Sequence, residues 1–402
     1  MVTATRRRSA TIHPLGQRKA IEAVRSYQAT ALVLQGGGAL GAYQAGVYQS
    51  LAEAGIHPNW IAGISIGALN AALIAGNPPE RRIERLHEFW ETICRSPWWP
   101  SAPAQDAPHW SSAMLEAMSG LAAWRALTEG QAGFFSPRWP SPLLPFGGAS
   151  RASFYDLSPL RATLERLVDF DRINEAGEMR VSVGAVNVRD GNFAYFDNTR
   201  QRLRPEHFMA SAALPPGFAA VEIDGEFYWD GGMVSNTPLY HVLTEQPRRD
   251  TLIFQIDLWS ARGALPGDLA QVAERAKDIQ YSSRTRLITE YMRQRQEQQR
   301  LLHELLALVP PERQHDAAFQ RAQAQASAAL VNVIHLIYQD KPYRGHYKDF
   351  EFSERSMREH WRGGQADMRH TLAHPQWLKR PSAEQPFVTH DVHRPSSEKK
   401  HA

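Results

Sequence analysis

The chain has 402 residues, of which 43% are hydrophobic and 22% charged, so it can bury a large core in one large domain or two smaller ones. The net charge is only +3 and basic residues are dispersed among acidic ones, which excludes the concentrated basic surface that nucleic-acid binding needs. The single cysteine, Cys94, excludes an intramolecular disulfide and a cysteine-based metal cluster.

The N-terminus is basic at residues 6–8, but no apolar run of signal-peptide length follows it. Elsewhere no uninterrupted apolar stretch reaches the length of a membrane span. The sequence therefore predicts a cytoplasmic protein whose membrane contact could only be peripheral.

Short apolar runs and helical patterns alternate between residues 31 and 76. Ala31–Leu34 has the length of a buried strand, and helical spacing follows over 39–54. A second strand is predicted over Trp60–Ile64 and a second helix over 68–75. This order predicts two parallel strands with a right-handed crossover, and so an α/β core.

An amphipathic helix is predicted over 80–94, whereas 95–150 is rich in proline and irregular. Six of the eleven tryptophans lie between Trp90 and Trp139. We interpret 95–150 as an insertion covering the core. It is either a lid that docks on lipid, since tryptophan favours the boundary of water and an apolar phase, or a lid that packs its tryptophans on the core.

Beyond residue 151 the patterns predict helices, buried strands and two hairpins closed by Asp-Gly turns. The predicted elements are a helix near 158–167, a hairpin of 180–188 with 192–197, a hairpin of 220–223 with 226–229, a strand over 251–257, a long polar helix over 265–309 and a late core strand over 331–338. For the long helix, a solvated surface helix is favoured over an oligomer contact or a basic membrane-facing surface. The polar tail after Pro381 is predicted to be disordered.

Gly63-Ile64-Ser65-Ile66-Gly67 has the pattern of a nucleophile elbow, in which a serine occupies a strained strand-to-helix turn. The pattern is short, but it falls between a predicted strand and a predicted helix, which is the context that the motif requires. The helix N-terminus would place positive dipole and free amides beside the serine oxygen. Ser65 is therefore the candidate nucleophile.

A glycine-rich loop, Gly36-Gly37-Gly38, lies between the first strand and the first helix. Its amides could bind the oxyanion of acyl transfer or a phosphate. Residues 36–41 also match the dinucleotide-binding pattern Gly-x-Gly-x-x-Gly, which would make the protein an oxidoreductase. That alternative requires an acidic residue at the end of the second strand, where Ile64-Ser65 stands instead, so the oxyanion interpretation is favoured.

A serine nucleophile needs a base, and the histidines stand in no informative pattern. We weighed His241, His335, His346, His360, His370 and His374 and found no reason to choose any one of them. Asp230 instead follows a predicted strand and precedes two glycines, which allow another backbone to approach closely.

Together these features resemble the patatin-like phospholipases, which use a Ser-Asp dyad without histidine. The resemblance covers about 29–257 and includes the segment Ser211-Ala212-Ala213-Leu214-Pro215-Pro216 together with Asn236 and Pro238. It implies that Gly36, Gly37 and Gly38 form the oxyanion hole, that Ser65 is the nucleophile and that Asp230 is the base. One position departs from the family, because Leu40 stands where its loop often carries arginine or lysine.

Asp230 would need a raised pKa to act as a base, and burial beside Trp229 would supply it. The resemblance also implies a three-layer α/β/α core with a mainly parallel sheet. The predicted segments are an N-terminal extension (1–28), a catalytic domain (29–260) with the insertion at 95–150, a helical C-terminal region with a late strand (261–380) and a tail (381–402).

The predicted activity is hydrolysis of a lipid acyl ester, such as a phospholipid or lysophospholipid, through an acyl-enzyme. Two alternatives remain: an acyltransferase using the same elbow, and a non-catalytic lipid-binding protein of the same fold. No cofactor and no metal site is expected, since the His, Asp and Glu residues lack ligand spacing. The sequence leaves the oligomeric state, acyl chain length, head group and positional specificity open.

Overall fold

The computed structural model describes residues 14–95, 112–138, 148–282, 285–339 and 347–393, and within these ranges nine strands form one largely parallel sheet. In chain order the strands are β1 (Ala29–Leu34), β2 (Trp60–Gly63), β3 (Ser136–Pro137), β4 (Tyr155–Asp156), β5 (Arg180–Asn187), β6 (Phe193–Asp197), β7 (Val221–Ile223), β8 (Glu226–Asp230), β9 (Thr251–Asp257), β10 (Val331–Ile337) and β11 (Phe387–Asp391). Strands β3 and β4 form a separate pair.

Helices cover both faces of the sheet. They are α1 (Pro14–Arg25), α2 (Ala42–Glu53), α3 (Ile66–Ala75), α4 (Arg82–Cys94), α5 (Ser112–Glu129), α6 (Ser158–Leu167), α7 (Phe170–Ile173), α8 (Pro205–Ser211), α9 (Leu239–Thr244), α10 (Leu269–Tyr281), α11 (Thr285–Leu306), α12 (Ala317–Gln325) and α13 (Glu354–Leu372). Successive side chains of a strand point to opposite faces, and those of β1 enter two separate cores. Leu32 belongs to the cluster that contains α2 and α3, and Val33 to the cluster that contains Val242 of α9 and Met292 of α11. The predicted three-layer α/β/α architecture is confirmed.

Six strands run parallel in the order β11-β10-β9-β1-β2-β5, and the two predicted hairpins, β5 with β6 and β7 with β8, complete the sheet. Strand β5 has three partners. Residues 180–183 pair with β2, residues 185–187 pair with β8, and β6 pairs with residues 182–186, which overlap both groups. Because β6 must therefore occupy the other edge of β5, β2 and β8 follow one another along the same edge. This arrangement brings the carboxyl ends of β2 and β8 together.

Three expectations about the outer segments are wrong. The insertion is not irregular throughout, because 112–129 form α5. The predicted single helix over 265–309 is two helices, since α10 ends at Tyr281 and the next residue, Ser282, has an extended backbone. The tail is not wholly disordered, because Phe387–Asp391 form β11, which pairs with β10 and buries Phe387. Of the tryptophans of the insertion, Trp98, Trp99, Trp110 and Trp139 lie outside the described residues.

The C-terminal region packs directly on the core of the fold. Helix α13 crosses α2 where two glycines meet the opposite backbone. A Cβ atom on Gly46 would lie 1.9 Å from the carbonyl oxygen of Trp361, and one on Gly364 would lie 2.0 Å from that of Tyr43. Only glycine permits so close a crossing. Among the helices of the described ranges, none is both long and apolar enough to cross a bilayer.

Candidate active site

Ser65 occupies a strained turn between β2 and α3. Its backbone has φ 55° and ψ −127°, a conformation that L-residues rarely adopt. The flanking glycines are required by close backbone contacts, because a Cβ on Gly63 would lie 2.4 Å from the Gly67 oxygen. A Cβ on Gly67 would lie 2.4 Å from the Leu34 oxygen. The turn thus holds the serine, which is partly exposed, at the carboxyl edge of the sheet and at the N-terminus of α3.

A second serine, Ser211, supports this turn through two hydrogen bonds. The Ser211 hydroxyl accepts a hydrogen bond of 2.9 Å from the Ser65 amide and donates one of 2.7 Å to the Gly184 carbonyl. Ser211 is fully buried at the end of α8. The resemblance to the family includes Ser211, but the sequence assigns no role to its hydroxyl group, which here supports the turn at Ser65.

Asp230 is the last residue of β8 and meets Ser65 because β2 and β8 share one edge of β5. This residue is 2% exposed, and its carboxylate accepts a hydrogen bond of 2.7 Å from the Gly232 amide. Burial raises the pKa of Asp230 to about 7, while the nearby Ser65 side chain and the Gly232 amide favour the charged form and oppose the rise. The sequence prediction that burial would make this carboxyl group more basic agrees with its environment.

Gly36, Gly37 and Gly38 form a loop whose three residues have different surroundings. Gly36 faces the nucleophile, since a Cβ there would lie 3.0 Å from that of Ser65, and its amide donates to the Asn236 carbonyl at 3.2 Å. Gly38 has φ +54°, and a Cβ there would lie 2.3 Å from the Asp349 carbonyl oxygen. Within the described ranges, the amides of Gly37 and Gly38 donate to no acceptor. These two amides remain available to a ligand, whereas that of Gly36 is occupied.

Polar side chains fix the loop, and the sequence patterns gave no reason to select Gln35 or Trp259 and assigned no role to Asn236. The Gln35 side-chain oxygen accepts from the amides of Leu258 at 2.6 Å and Trp259 at 3.0 Å, and the Trp259 indole donates to the Gly36 carbonyl at 2.8 Å. The Asn236 amide group donates to the same carbonyl at 3.0 Å. Leu40, which replaces the basic residue common in the family, is fully buried.

The histidines have other partners. His335 contacts Asp257 at 2.7 Å, His360 contacts Tyr338 at 2.7 Å, and His241 stacks on Tyr195. His346 lies outside the described residues. In the part of the chain that is described, no group of three or more histidine, cysteine, aspartate or glutamate side chains is arranged to hold a metal ion.

The fold and this geometry define an α/β protein whose sheet presents a glycine loop, a strained serine and a buried aspartate at one edge. The chain matches the family model described as "Patatin-like phospholipase" over residues 32–243, more than half of its length, and the model described as "Patatin phospholipase" over residues 279–384. The chain therefore belongs to the patatin-like phospholipase family, which confirms the resemblance and supports lipid acyl hydrolysis as its general activity.

Among solved structures, the chain is similar to VipD from Legionella pneumophila, with a TM-score of 0.36 and 13% identity, over 86% of this chain and 67% of that one. No curated protein matches the chain.

Proposed function

We propose that the protein hydrolyses lipid acyl esters through a Ser65–Asp230 dyad. The observation that carries this proposal is the proximity of the Ser65 side chain to the buried Asp230 carboxyl group, whose pKa burial raises to about 7. A carboxylate of ordinary pKa is a poor base toward a hydroxyl group, and the efficiency of a general base rises as its pKa approaches the working pH.

The proposed reaction has two steps. In the first, Asp230 accepts the Ser65 proton as Oγ attacks the ester carbonyl, and then gives that proton to the departing alcohol as the acyl-enzyme forms. In the second, Asp230 takes a proton from water, whose oxygen attacks the acyl carbon. The bond to Oγ then breaks, Asp230 returns the proton to Oγ, and the fatty acid and free Ser65 are released. The charge that develops on the carbonyl oxygen is stabilised by the amides of Gly37 and Gly38.

A fluorophosphonate probe tests the nucleophile, because it forms a covalent bond with activated serines. We expect the wild type to be labelled and Ser65→Ala to remain unlabelled. Ser235→Ala removes another serine hydroxyl near the same loop and is expected to be labelled like the wild type. Labelling that persists in Ser65→Ala would remove Ser65 from the mechanism, and unlabelled wild type would favour a non-catalytic lipid-binding protein.

Product analysis separates hydrolysis from acyl transfer and addresses specificity. The wild type would be incubated with phospholipid, lysophospholipid and a soluble short-chain ester, with and without added acceptor alcohols. Free fatty acid as the main product supports the hydrolase, whereas a new ester that dominates in the presence of acceptors supports the acyltransferase. The position of the cleaved chain would give the regiospecificity.

Peripheral membrane contact through the insertion is part of the proposal. In α5, Leu121, Trp124 and Leu127 are 55%, 60% and 44% exposed, while Ala123 and Ala126 are buried. Exposed tryptophan and leucine on one helix are typical of surfaces that contact lipid. A blue shift of tryptophan fluorescence on adding vesicles, reduced in Trp124→Gln, would support this contact, and no shift would contradict it.

A further inference from the structure

Helix α10 turns its charged side toward the protein and its apolar side toward solvent, which is the reverse of an ordinary surface helix. Its four charged residues, Glu274, Arg275, Lys277 and Asp278, are all partly buried against the protein. Its exposed residues are uncharged, and among them Leu269 is 86% exposed, Val272 47% and Ile279 57%. No residue of α10 is fully buried. A helix that packs on a protein normally buries its apolar side and exposes its charges, so among the described residues the apolar side of α10 lacks a partner.

Ion pairs hold the charged side of α10 on the protein. Lys348, only 4% exposed, contacts Glu274 at 3.0 Å and Asp278 at 2.6 Å. Lys277 contacts Asp349 at 2.5 Å. Because the charged side chains on this side of α10 are paired with Lys348 and Asp349, these contacts fix the orientation of the helix.

The same helix is bonded to the candidate active site. The carbonyl of Tyr281, the last residue of α10, accepts hydrogen bonds from Asn236 at 2.9 Å and Gln35 at 3.1 Å. The carbonyl of Asp349 accepts the amide of Ala39 at 2.9 Å, directly after the glycine loop. The C-terminal end of α10 therefore lies beside the glycine loop of the candidate active site.

Other exposed apolar residues lie close in the chain to Asp230 and to α10. Met233 and Val234 follow the Asp230 motif and are 47% and 61% exposed. Leu265, in the segment leading into α10, is 95% exposed. Large apolar side chains that are exposed together mark a binding surface in soluble proteins.

We infer that Leu269, Val272 and Ile279, called here the α10 face, dock on a phospholipid surface and bring the mouth of the site to its substrate. This inference rests on the proposed function, since a lipid that reaches Ser65 must leave a lipid surface, and the helix that carries the α10 face is bonded to Gln35 and Asn236 beside the site. No exposed residue of α10 carries a charge. Docking therefore depends on apolar insertion and requires neither anionic lipid nor low salt.

The test uses the full chain carrying Ser65→Ala, so that vesicles are not hydrolysed during measurement. Flotation with phosphatidylcholine vesicles compares it with the same chain carrying Leu269→Gln, Val272→Gln and Ile279→Gln. A matched control carries Leu301→Gln, Leu305→Gln and Leu308→Gln, which are 57%, 53% and 78% exposed near the C-terminal end of α11. That end lies near the amino-terminal end of β10, because the Gln299 backbone carbonyl accepts a hydrogen bond from the amide of Ser327, which precedes β10. The candidate active site, in contrast, lies at the carboxyl ends of the strands.

We expect the α10 variant to lose at least about tenfold in vesicle partitioning, with the loss unchanged between about 0.1 and 0.5 M salt, and the control to bind like the parent. Equal binding of the α10 variant and the parent, no binding by either, or equal losses in both variants would overturn the inference. So would sedimentation showing that the α10 face instead joins two copies of the chain.

Two assays distinguish failure of the docking inference from failure of the proposed function. With Ser65 restored, the α10 variant is expected to cleave a soluble short-chain ester at the wild-type rate but vesicle phospholipid at least about tenfold more slowly. Absence of soluble-ester cleavage in the wild type would contradict the proposed function, whereas vesicle binding by the Ser65→Ala chain would still report on docking.

Discussion

The environment of the Asp230 carboxyl group gives the proposed reaction a definite pH dependence. Burial raises the pKa of this group to about 7, and the base must be ionised to accept the Ser65 proton. We therefore expect kcat/KM for a soluble ester to rise with pH and to level off above an apparent pKa of about 7. A profile that is flat between about pH 5 and 8 would contradict Asp230 as the base.

The same shift predicts a cost in stability. The folded-state pKa of Asp230 lies above its unfolded value, so the carboxyl group favours folding when protonated and loses that contribution as pH rises toward about 7. Asp230→Asn cannot ionise and avoids this loss. Relative to wild type, its free energy of unfolding should gain roughly 2 to 3 kcal/mol between about pH 5 and 8, measured by chemical denaturation. A difference that does not change with pH would show that Asp230 has an ordinary pKa.

Individual site residues could be predicted from the sequence where catalysis and close backbone contacts require particular residue types at fixed spacing. Ser65 and Asp230 could be proposed because glycines mark close backbone contacts on both sides of the serine and after the aspartate. Ser211 and Gln35 could not, because their roles depend on hydrogen bonds to Ser65 and Leu258, which lie far away in the chain. The occupied amide of Gly36 likewise follows from a contact with Asn236 that only the folded chain makes.

Among the secondary-structure elements, α10 shows what periodicity omits. Helical spacing separates an apolar side from a charged one, but it does not say which side faces the protein. In α10 the charged side faces the protein because Asp278 pairs with the buried Lys348, which lies 70 residues further along the chain. The elements of the core were predicted better, because β1 and β9 are buried along their whole length and contain the short apolar runs 31–34 and 252–254.

Removing the Lys348 charge is expected to loosen α10. In Lys348→Met, Glu274 and Asp278 would face each other without a counter-ion, a change that costs about 3 kcal/mol for buried pairs. Amide hydrogen exchange over 269–281 should accelerate at least about tenfold.

Arg293→Met is the control for this change, because it breaks exposed pairs with Glu290 and Glu297 on α11. It should cost less than about 1 kcal/mol and leave exchange in α10 unchanged. Unaltered exchange in Lys348→Met would show that the ion pairs do not hold the helix.

For the whole molecule, the C-terminal region completes the fold that carries the site. Strand β10 covers the edge of β9, and α13 covers α2 at the crossing of Gly46 and Gly364. A chain that ends at residue 260, the predicted boundary of the catalytic domain, would expose both surfaces. We expect it to aggregate, because an uncovered edge strand and a bare apolar helix both promote association.

Solubility and far-ultraviolet circular dichroism of this shortened chain would check the expectation. A chain that ends at residue 393 is the control, since it retains β10, β11 and α13. A soluble, folded and active 1–260 chain would establish 29–260 as an independent domain and contradict this prediction.

The contact between Ala39 and Asp349 has a consequence for the newly made protein. The glycine loop is translated early, but the Asp349 carbonyl that accepts the Ala39 amide leaves the ribosome only after residues 40–349 have been synthesised. Until then, the Ala39 amide lacks this acceptor, and α2 has no α13 to cover it. A chain that has not reached Asp349 therefore carries Ser65 beside a loop that lacks this support, and we expect lipid cleavage to begin only after that residue has emerged.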